Sequence, residues 1–409
     1  MKVAVTGMGI VSPIGQTVPD FWDALCNGIS GIKEISRFSK DGFAFVRGGE
    51  IADFVPNHDF GAHAPISSAA SFMMAAASQA IEDARLCEDC DANDVTGVVM
   101  STNFGDTDAA EQLIASLAKH GAIDKHTLPR YLFQSMADRI ADRWRLHGPR
   151  SVLSLSCSSG TAALGYGANL IRSGRAKVVI TGGYDALSKF AWSGLSVLRT
   201  MTNGEIRPFD KRRDGTVFSE GAGSIVLEDY NHARARGSHI YAVLSGYGLN
   251  NNAHHMTAPS KNGAGSTDVM RMAIEDAGIA PSEIDHVNAH ATGTKYNDIT
   301  ETQAIKAVLG KHAYEIPIAA NKSEVGHMMG AAGIVEAIAS VMSIVHGVVP
   351  PTINYGEPDP ECDLDCVPNT KRAVPLRTVL SNSAGIGGCN AAIVLTASDT
   401  NTSEDRKEA

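Results

Sequence analysis

The stretch Val152-Leu153-Ser154-Leu155-Ser156-Cys157-Ser158-Ser159-Gly160, continuing as TAALGYGANLIRSG to Gly174, starts as a β-branched extended run. It breaks at a serine-rich turn and becomes a helix-forming segment stopped by glycine. A second β-branched run, 178–181, follows at once. Strand, helix and strand in immediate succession form the unit of an α/β sheet. Working outward, further strand-like runs lie at 3–6, 96–101, 224–227 and 240–245. A later series at 286–289, 316–319, 378–381 and 391–395 surrounds helical stretches at 266–277, 298–309 and 331–346. The pattern predicts an α/β fold with a mostly parallel sheet, in two halves spanning 1–250 and 251–409. The Asn-rich segment 249–253 marks the boundary, and because nothing there resembles a flexible linker, the halves should share one interface.

Composition narrows the function. The chain has 409 residues, 44% hydrophobic and 20% charged, which is the balance of a compact globular enzyme rather than of a disordered chain. A net charge of −10 offers no generic attraction to nucleic acid or to an anionic membrane, so neither is expected as a partner. The N-terminal MKVAVTGMGIVSPIGQ lacks the features of a secretion signal, and a cytoplasmic location is expected. The most apolar stretch, 330–346, is shorter than the roughly 20 residues of a membrane span. Ile334, Val335, Ile338, Val341, Met342, Ile344 and Val345 cover most of its circumference, so it reads as a buried core helix in which Glu336 needs a partner. The polar tail from Ser398 should be frayed. Thr6-Gly7-Met8-Gly9 starts like a dinucleotide-binding fingerprint, but Ser12 stands where the third small residue belongs, and the segment reads as a tight turn. The seven cysteines suit free thiols in a reducing compartment. Cys87 with Cys90 and Cys362 with Cys366 have the residue type of zinc ligands, yet they fall in polar segments far apart, and no metal is expected.

Three features carry chemistry. Cys157 stands at a helix N-terminus, where free N–H groups and the helix dipole favour a thiolate; the alternative is a buried cysteine packed as a small hydrophobe. His290, in Asn288-Ala289-His290-Ala291-Thr292-Gly293-Thr294, and His327, in Lys322-Ser323-Glu324-Val325-Gly326-His327, both sit at strand-to-helix connections. Sites form at the carboxyl ends of parallel strands, so the thiol and the two imidazoles could converge on one crevice, although a histidine taken alone is more often structural. A glycine-rich turn, Ser383-Ala384-Gly385-Ile386-Gly387-Gly388-Cys389, follows another strand and permits close backbone approach to a ligand.

SCSSG around Cys157, PFDKRRDGTVFSEGAGSIVLE at 208–228, HHMTAP at 254–259, NAHATGT at 288–294, KSEVGHMMGAAG at 322–333 and SNSAGIGGCN at 381–390 together resemble the β-ketoacyl-acyl-carrier-protein synthases. These are the elongating condensing enzymes of type II fatty acid and polyketide synthesis. The resemblance implies a thiolase-like fold of two similar α/β halves, with buried central helices in a layered α-β-α-β-α arrangement. It implies an acyl-carrier protein as partner and a homodimer or a heterodimer with a chain-length-factor-like subunit. No cofactor is implied, since substrates ride on the carrier's phosphopantetheine. Cys157 would hold the acyl chain, His290 and His327 would donate N–H groups to the malonyl thioester oxygen, and the Cys157 and Ile386 N–H groups would form the oxyanion hole. Lys322 would orient His327; Asp298, Glu301 and Glu336 would support the site; Thr292 and Thr294 would bind the pantetheine arm. Arg207 corresponds to a docking arginine for the acidic carrier, and Lys211, Arg212 and Arg213 cluster beside it. Ala384 and Ile386 replace two usual phenylalanines, the second of them a gate over the cysteine, while Cys389 replaces a threonine and Ser219 a glycine. These departures favour a specialised polyketide or polyene ketosynthase. A non-catalytic chain-length-factor-like subunit would typically have lost the nucleophile. A thiolase would lack the Lys322–His327 motif and would order its glycines and cysteine differently.

Overall fold

The computed structural model describes residues 1–55, 67–86, 95–121 and 132–398. Cys87, Cys90 and the tail beyond Ser398 lie outside the described residues; Ser398 itself is buried, so the expected fraying does not begin there.

Every expected strand forms. In spatial order the main sheet runs Ile318–Ala319, His286–Asn288, Thr378–Ala384, Cys389–Ala397, Ala242–Asn251, Val3–Val11, Gly221–Asp229, Val178–Asp185, Thr96–Ser101 and Arg150–Leu153. The order is symmetric about its centre. Counted outward from the middle, the strands of the first half appear in the chain as positions one, five, four, two and three, and those of the second half repeat the series. The halves join where Val3, Ala4 and Val5 pair with Leu244, Val243 and Ala242.

The sheet is mixed, which corrects the expectation of a mostly parallel one. In each half the three outer strands are parallel and the two nearest the centre are antiparallel. Thr378–Ala384 and Cys389–Ala397 are joined by the turn 385–388, far too short for the crossover that parallel neighbours need. The boundary expected at 250/251 also shifts. Those residues sit inside Ala242–Asn251, which pairs along most of its length with Cys389–Ala397 of the second half, so the seam precedes this strand.

The layers follow from which strands each helix touches. Ser68–Asp83 packs on strands of the first half and Ala264–Ala277 on strands of the second, whereas Ser159–Arg172 and Ala332–His346 touch strands of both and each other. Helix, sheet, paired helices, sheet and helix make the five layers. Ala332–His346 is buried from Ala332 to Ile344. The one stretch among the described residues long and apolar enough to cross a membrane, Met329–His346, is this helix with its lead-in turn, and 89% of it lies inside the molecule.

Close backbone contact explains the Gly7–Gly9 motif. It lies within the Val3–Val11 strand rather than in a tight turn, and a Cβ on Gly7 or Gly9 would stand 2.2 Å from Ala80 O or 2.1 Å from Ala76 O of the outer helix. The second half repeats the device: Gly246 and Gly248, in the equivalent strand, would meet Ala273 O at 2.2 Å and Val269 O at 2.4 Å. Cys362 and Cys366 are buried in the outer core of the second half, not in a polar loop. Gly9→Val should lower stability by about 1–3 kcal/mol in denaturant titration, because the facing atom is helix backbone that cannot swing aside. Gly194→Ala, on an exposed helix position with nothing within 4 Å, should be neutral or mildly stabilising.

Candidate active site

The parallel strands of each half end at the seam between the halves, and the chemistry-bearing residues follow them. Cys157 comes after Arg150–Leu153, His290 after His286–Asn288, and Lys322 and His327 after Ile318–Ala319. Ser156 adopts φ +56°, a left-handed conformation that turns the chain sharply into the Ser159–Arg172 helix and leaves Cys157 at the bend. The bend is held by the Ser159 hydroxyl, which donates to Ser156 O (2.6 Å), and by the Ser158 hydroxyl, which donates to Leu155 O (2.8 Å).

Helix contact brings the second half onto this bend. A Cβ at Gly160 would stand 2.8 Å from Ile334 N, and one at Gly333 2.5 Å from Thr161 N, so the two central helices approach backbone to backbone. The glycine-rich turn closes from the other side: a Cβ at Gly385 would approach Leu155 O at 3.0 Å and Cys157 N at 3.2 Å. Ile386 directs its backbone N–H at the Cys157 sulfur. Asparagines of the segment read as a domain boundary brace this turn. Asn251 donates to Gly387 O (2.9 Å), the Asn252 N–H to Gly388 O (2.8 Å), and Asn390 to Asn250 (2.8 Å) and Asn252 (2.7 Å). Ala384, the last residue of its strand, pairs with Asn390 and is half-buried, as is Ile386.

Cys157 is buried, and burial pushes its thiol above the ordinary value; the Ser156 hydroxyl, the Lys322 charge and the Ile386 N–H only partly oppose this. The expected thiolate at a helix N-terminus is therefore not the resting form. Cys157 precedes the first helical residue by two positions, and loss of hydration outweighs the dipole.

The two imidazoles meet edge to face, with ring centroids 5.5 Å apart. Burial, and then the Lys322 charge, hold both well below the ordinary histidine range, so both are neutral and each ring has one proton to place. In His327 the Met329 N–H donates to Nδ1 (3.1 Å), which puts the proton on Nε2. Among the described residues that buried Nε2 has no hydrogen-bond partner. The Phe218 ring lies 5.3 Å from the imidazole and the neighbouring backbone clamps the residue: the His327 N–H donates to Val217 O (2.8 Å) and the Ser219 N–H to His327 O (3.0 Å). In His290, Nδ1 faces Lys322 Nζ at 3.2 Å. An ammonium offers only donors, so this proton too belongs on Nε2.

Lys322 is buried beneath the pair. It donates to His290 O (2.7 Å) and is ion-paired with Glu336, the partner that the carboxylate in the core helix required. Burial raises Glu336 to about 7 against the pull of Lys322. The Lys322 ammonium thus orients His290 directly, whereas the expectation was that it orients His327. Glu301 accepts from the N–H groups of His290 (2.7 Å) and Ala291 (2.7 Å) and from Asn382 (2.9 Å), and so fixes the turn carrying the histidine. Asp298, raised to about 6 by burial, accepts from Phe209 N (2.9 Å) and Gly293 N (3.2 Å), fastening the PFDK segment to the same turn. The Thr292 and Thr294 hydroxyls bond each other at 2.9 Å.

An unpartnered N–H on an imidazole, a neutral second imidazole beside it and a backbone N–H aimed at a buried sulfur form a donor cluster for developing negative charge. Comparison with known proteins agrees. The chain matches "Beta-ketoacyl synthase, N-terminal domain" over 1–233 and "Beta-ketoacyl synthase, C-terminal domain" over 241–356. It belongs to the β-ketoacyl synthase family. It is 38% identical to 3-oxoacyl-acyl-carrier-protein synthase 2 of Synechocystis sp., over 95% of this chain and 96% of the relative. Among solved structures it is similar to the ishigamide ketosynthase/chain length factor, with TM-score 0.90, 36% identity and coverage of 97% of this chain and 99% of the other. It is also similar to a type II polyketide synthase ketosynthase bound to the hexaketide and in complex with its acyl-carrier protein, with TM-score 0.89, 34% identity and the same coverage.

Not every expected residue of this β-ketoacyl synthase chain is free for its expected role. Arg213 is buried, ion-paired with Asp359 at 2.5 Å and donating to Asp210 O (2.9 Å), so it is a structural clamp and no docking residue. Lys211 and Arg212 are exposed, but they pair with Glu357 (3.1 Å) and Asp210 (3.1 Å). Arg207 is half-buried and reaches Glu205 O at 3.5 Å. Sequence reasoning missed Asn382, which braces Glu301, and Asp185, the buried carboxylate ending Val178–Asp185. The signal for Asp185 was available: a lone acid at the carboxyl end of a buried strand, where sites form. Because the Cys157 thiol is raised, its alkylation by iodoacetamide should climb about tenfold per pH unit from pH 7 to 9 without a plateau. Peptide mapping across that range checks this; a plateau below pH 8 contradicts the raised thiol.

Proposed function

We propose that the chain is a β-ketoacyl-acyl-carrier-protein synthase of a specialised type II polyketide, polyene or fatty-acid pathway, joining malonyl units to an acyl group held on Cys157. The observation that carries the reading is the free Nε2–H of His327, beside His290, in the same seam as a cysteine whose sulfur receives the Ile386 N–H.

In the first half-reaction the Cys157 sulfur attacks the acyl thioester of the carrier, and its thiol proton leaves with the pantetheine sulfur, giving acyl-Cys157. A raised thiol suits this order, since the proton departs only when a leaving thiolate is present to take it. Malonyl thioester then enters, past Thr292 and Thr294. Its terminal C–C bond breaks, carbon dioxide departs, and the electron pair runs onto the thioester oxygen, where the Nε2–H groups of His290 and His327 meet it. Neutral imidazoles are the right form, because each offers one proton to share without surrendering it. The carbanion attacks the acyl-Cys157 carbonyl, the Cys157 and Ile386 N–H groups hold the oxyanion, and collapse expels the cysteine sulfur. Lys322, held by Glu336, keeps the seam electropositive through these anionic steps.

The small Ala384 and the β-branched Ile386 leave the turn beside Cys157 without a bulky aromatic, which favours a wide acyl tunnel. Retention of Cys157 speaks against a chain-length-factor role, and the Lys322–His327 segment speaks against a thiolase. The reading asks for no resident cofactor and places the enzyme in the cytosol, paired with another copy or with a chain-length-factor-like subunit. An acidic carrier protein would dock near Arg207, with Lys211 and Arg212 contributing once drawn from their acidic partners.

Two sets of variants test this. By intact-mass analysis Cys157→Ala should take up no acyl group from acyl-carrier protein, whereas His327→Ala should still be acylated and decarboxylate malonyl-carrier protein about 10² to 10³ times more slowly. Acylation of Cys157→Ala at the wild-type rate rejects the nucleophile. Arg207→Glu should raise KM for the carrier-bound substrate several-fold, with kcat little changed and the difference shrinking at high salt.

A further inference from the structure

Asp185 belongs to none of the roles above, yet it is fully buried in the first half with a carboxylate engaged on all sides. Its Oδ1 accepts from the Thr102 hydroxyl (2.7 Å) and the Phe104 N–H (2.8 Å); its Oδ2 accepts from the Asn103 N–H (3.0 Å) and, across the seam, from the Gly330 N–H (2.7 Å). These contacts run in two directions. On one side, Asn103 takes a hydrogen bond from the Ser159 hydroxyl (3.2 Å), the same hydroxyl that holds the Cys157 bend. On the other, Gly330 is gripped at both ends of its residue, its N–H by Asp185 and its carbonyl by the Ser101 hydroxyl (3.1 Å). Next to this grip on the histidine side is Met329, whose φ of +52° is strained for a side chain of its size. That conformation aims the Met329 N–H at His327 Nδ1. Gly330 has no room for a side chain, since a Cβ would stand 2.8 Å from Asp185 Oδ2 and 2.8 Å from Thr102 Cα.

We infer that Asp185 is a positioning residue for His327: by holding the Gly330 N–H from the opposite half of the chain, it keeps Met329 in its strained conformation, and the Met329 N–H then fixes the proton of His327 on Nε2. The structural reason is that a strained residue persists only where its surroundings over-determine it: the peptide after Met329 is held by Asp185, and the one before it by His327 Nδ1 and by the Ala331 N–H, which donates to Met328 O (2.9 Å). Without the carboxylate, Met329 relaxes, Nδ1 loses its donor, and the ring is free to carry its proton on the wrong nitrogen. The same carboxylate fixes Asn103, so the thiol-bearing bend and the imidazole are referred to one anchor.

The inference rests on the condensing reading only for its kinetic consequence, and the test separates the two. Full-length protein labelled with [15N]histidine reports the ring tautomers by long-range 1H–15N correlation, with His327→Gln assigning the signal. Wild type should show His327 with an unprotonated, hydrogen-bonded Nδ1 and a protonated Nε2; an Nδ1–H tautomer overturns the inference without any further variant. Asp185→Asn should mix the tautomers and lower kcat for malonyl decarboxylation at least tenfold, with KM within about twofold and Asp185→Glu restoring part of both. Gly330→Ala, which pushes the carboxylate off the peptide from the other side without changing charge, should reproduce the tautomer change. The double variant should be no worse than the poorer single one, because both cut one link. Additive losses, or an unchanged His327 signal in folded variants, overturn the assignment. A tautomer that responds in a protein lacking condensing activity would instead uphold Asp185 and sink the enzymatic reading.

Discussion

Everything in the seam depends on how closely the two central helices approach. Gly160 lies against the backbone of Gly333 and Ile334, and Gly333 lies against Thr161, so the helices of opposite halves meet without side chains between them. That approach has a chemical purpose. Cys157 stands three residues before Gly160 and His327 six before Gly333, so the helix contact sets how far the thiol stands from the imidazole. Side chains at these positions would act as spacers, and a spacing error of an ångström at a site built on aligned donors is enough to cost most of its rate. The Thr161 hydroxyl, 2.8 Å from that of Ser383, adds a lateral tie to the strand that leads into the glycine-rich turn.

Burial is the second constraint. The seam encloses Lys322, Glu336, Glu301, Asp298, His290 and His327 with little or no exposure. In such surroundings each group adopts the protonation state that its neighbours allow. The imidazoles are neutral, the thiol stays protonated, and Glu336 is raised to about 7 while paired with the one lysine of the cluster. Low polarizability also strengthens each fixed donor toward any negative charge that develops beside it.

Much of this was legible in the sequence. All ten strands, the buried helix and the convergence of Cys157, His290 and His327 follow from β-branched runs, from the apolar circumference of 330–346 and from the rule that sites gather at strand ends. Three things were hidden, each for a physical reason. Strand direction is not encoded by periodicity, so the antiparallel pair in each half went unseen until the turn 385–388 was placed. Polar residues mean different things in solvent and in contact: the asparagines at 250–252 read as a boundary between halves, but Asn251 and Asn252 bond backbone of the glycine-rich turn and Asn250 the side chain of Asn390. Arg213 looks like its exposed neighbours Lys211 and Arg212, because only the fold reveals that Asp359 waits for it inside. Asn382 braces Glu301 across 81 positions of chain, a range that no local pattern reaches.

The palindromic strand order also makes the two turns at the seam equivalent. Arg150–Leu153 and Ile318–Ala319 occupy equivalent edges of the two halves, and each delivers its chain into the central helix of its half. Cys157 and the Lys322–His327 segment are thus counterparts, each following the edge strand of its half and leading into its central helix. A repeated topology therefore carries unlike chemistry: the same turn bears a thiol in one half and an ammonium with an imidazole in the other, and the contact of the two central helices draws both turns to one seam.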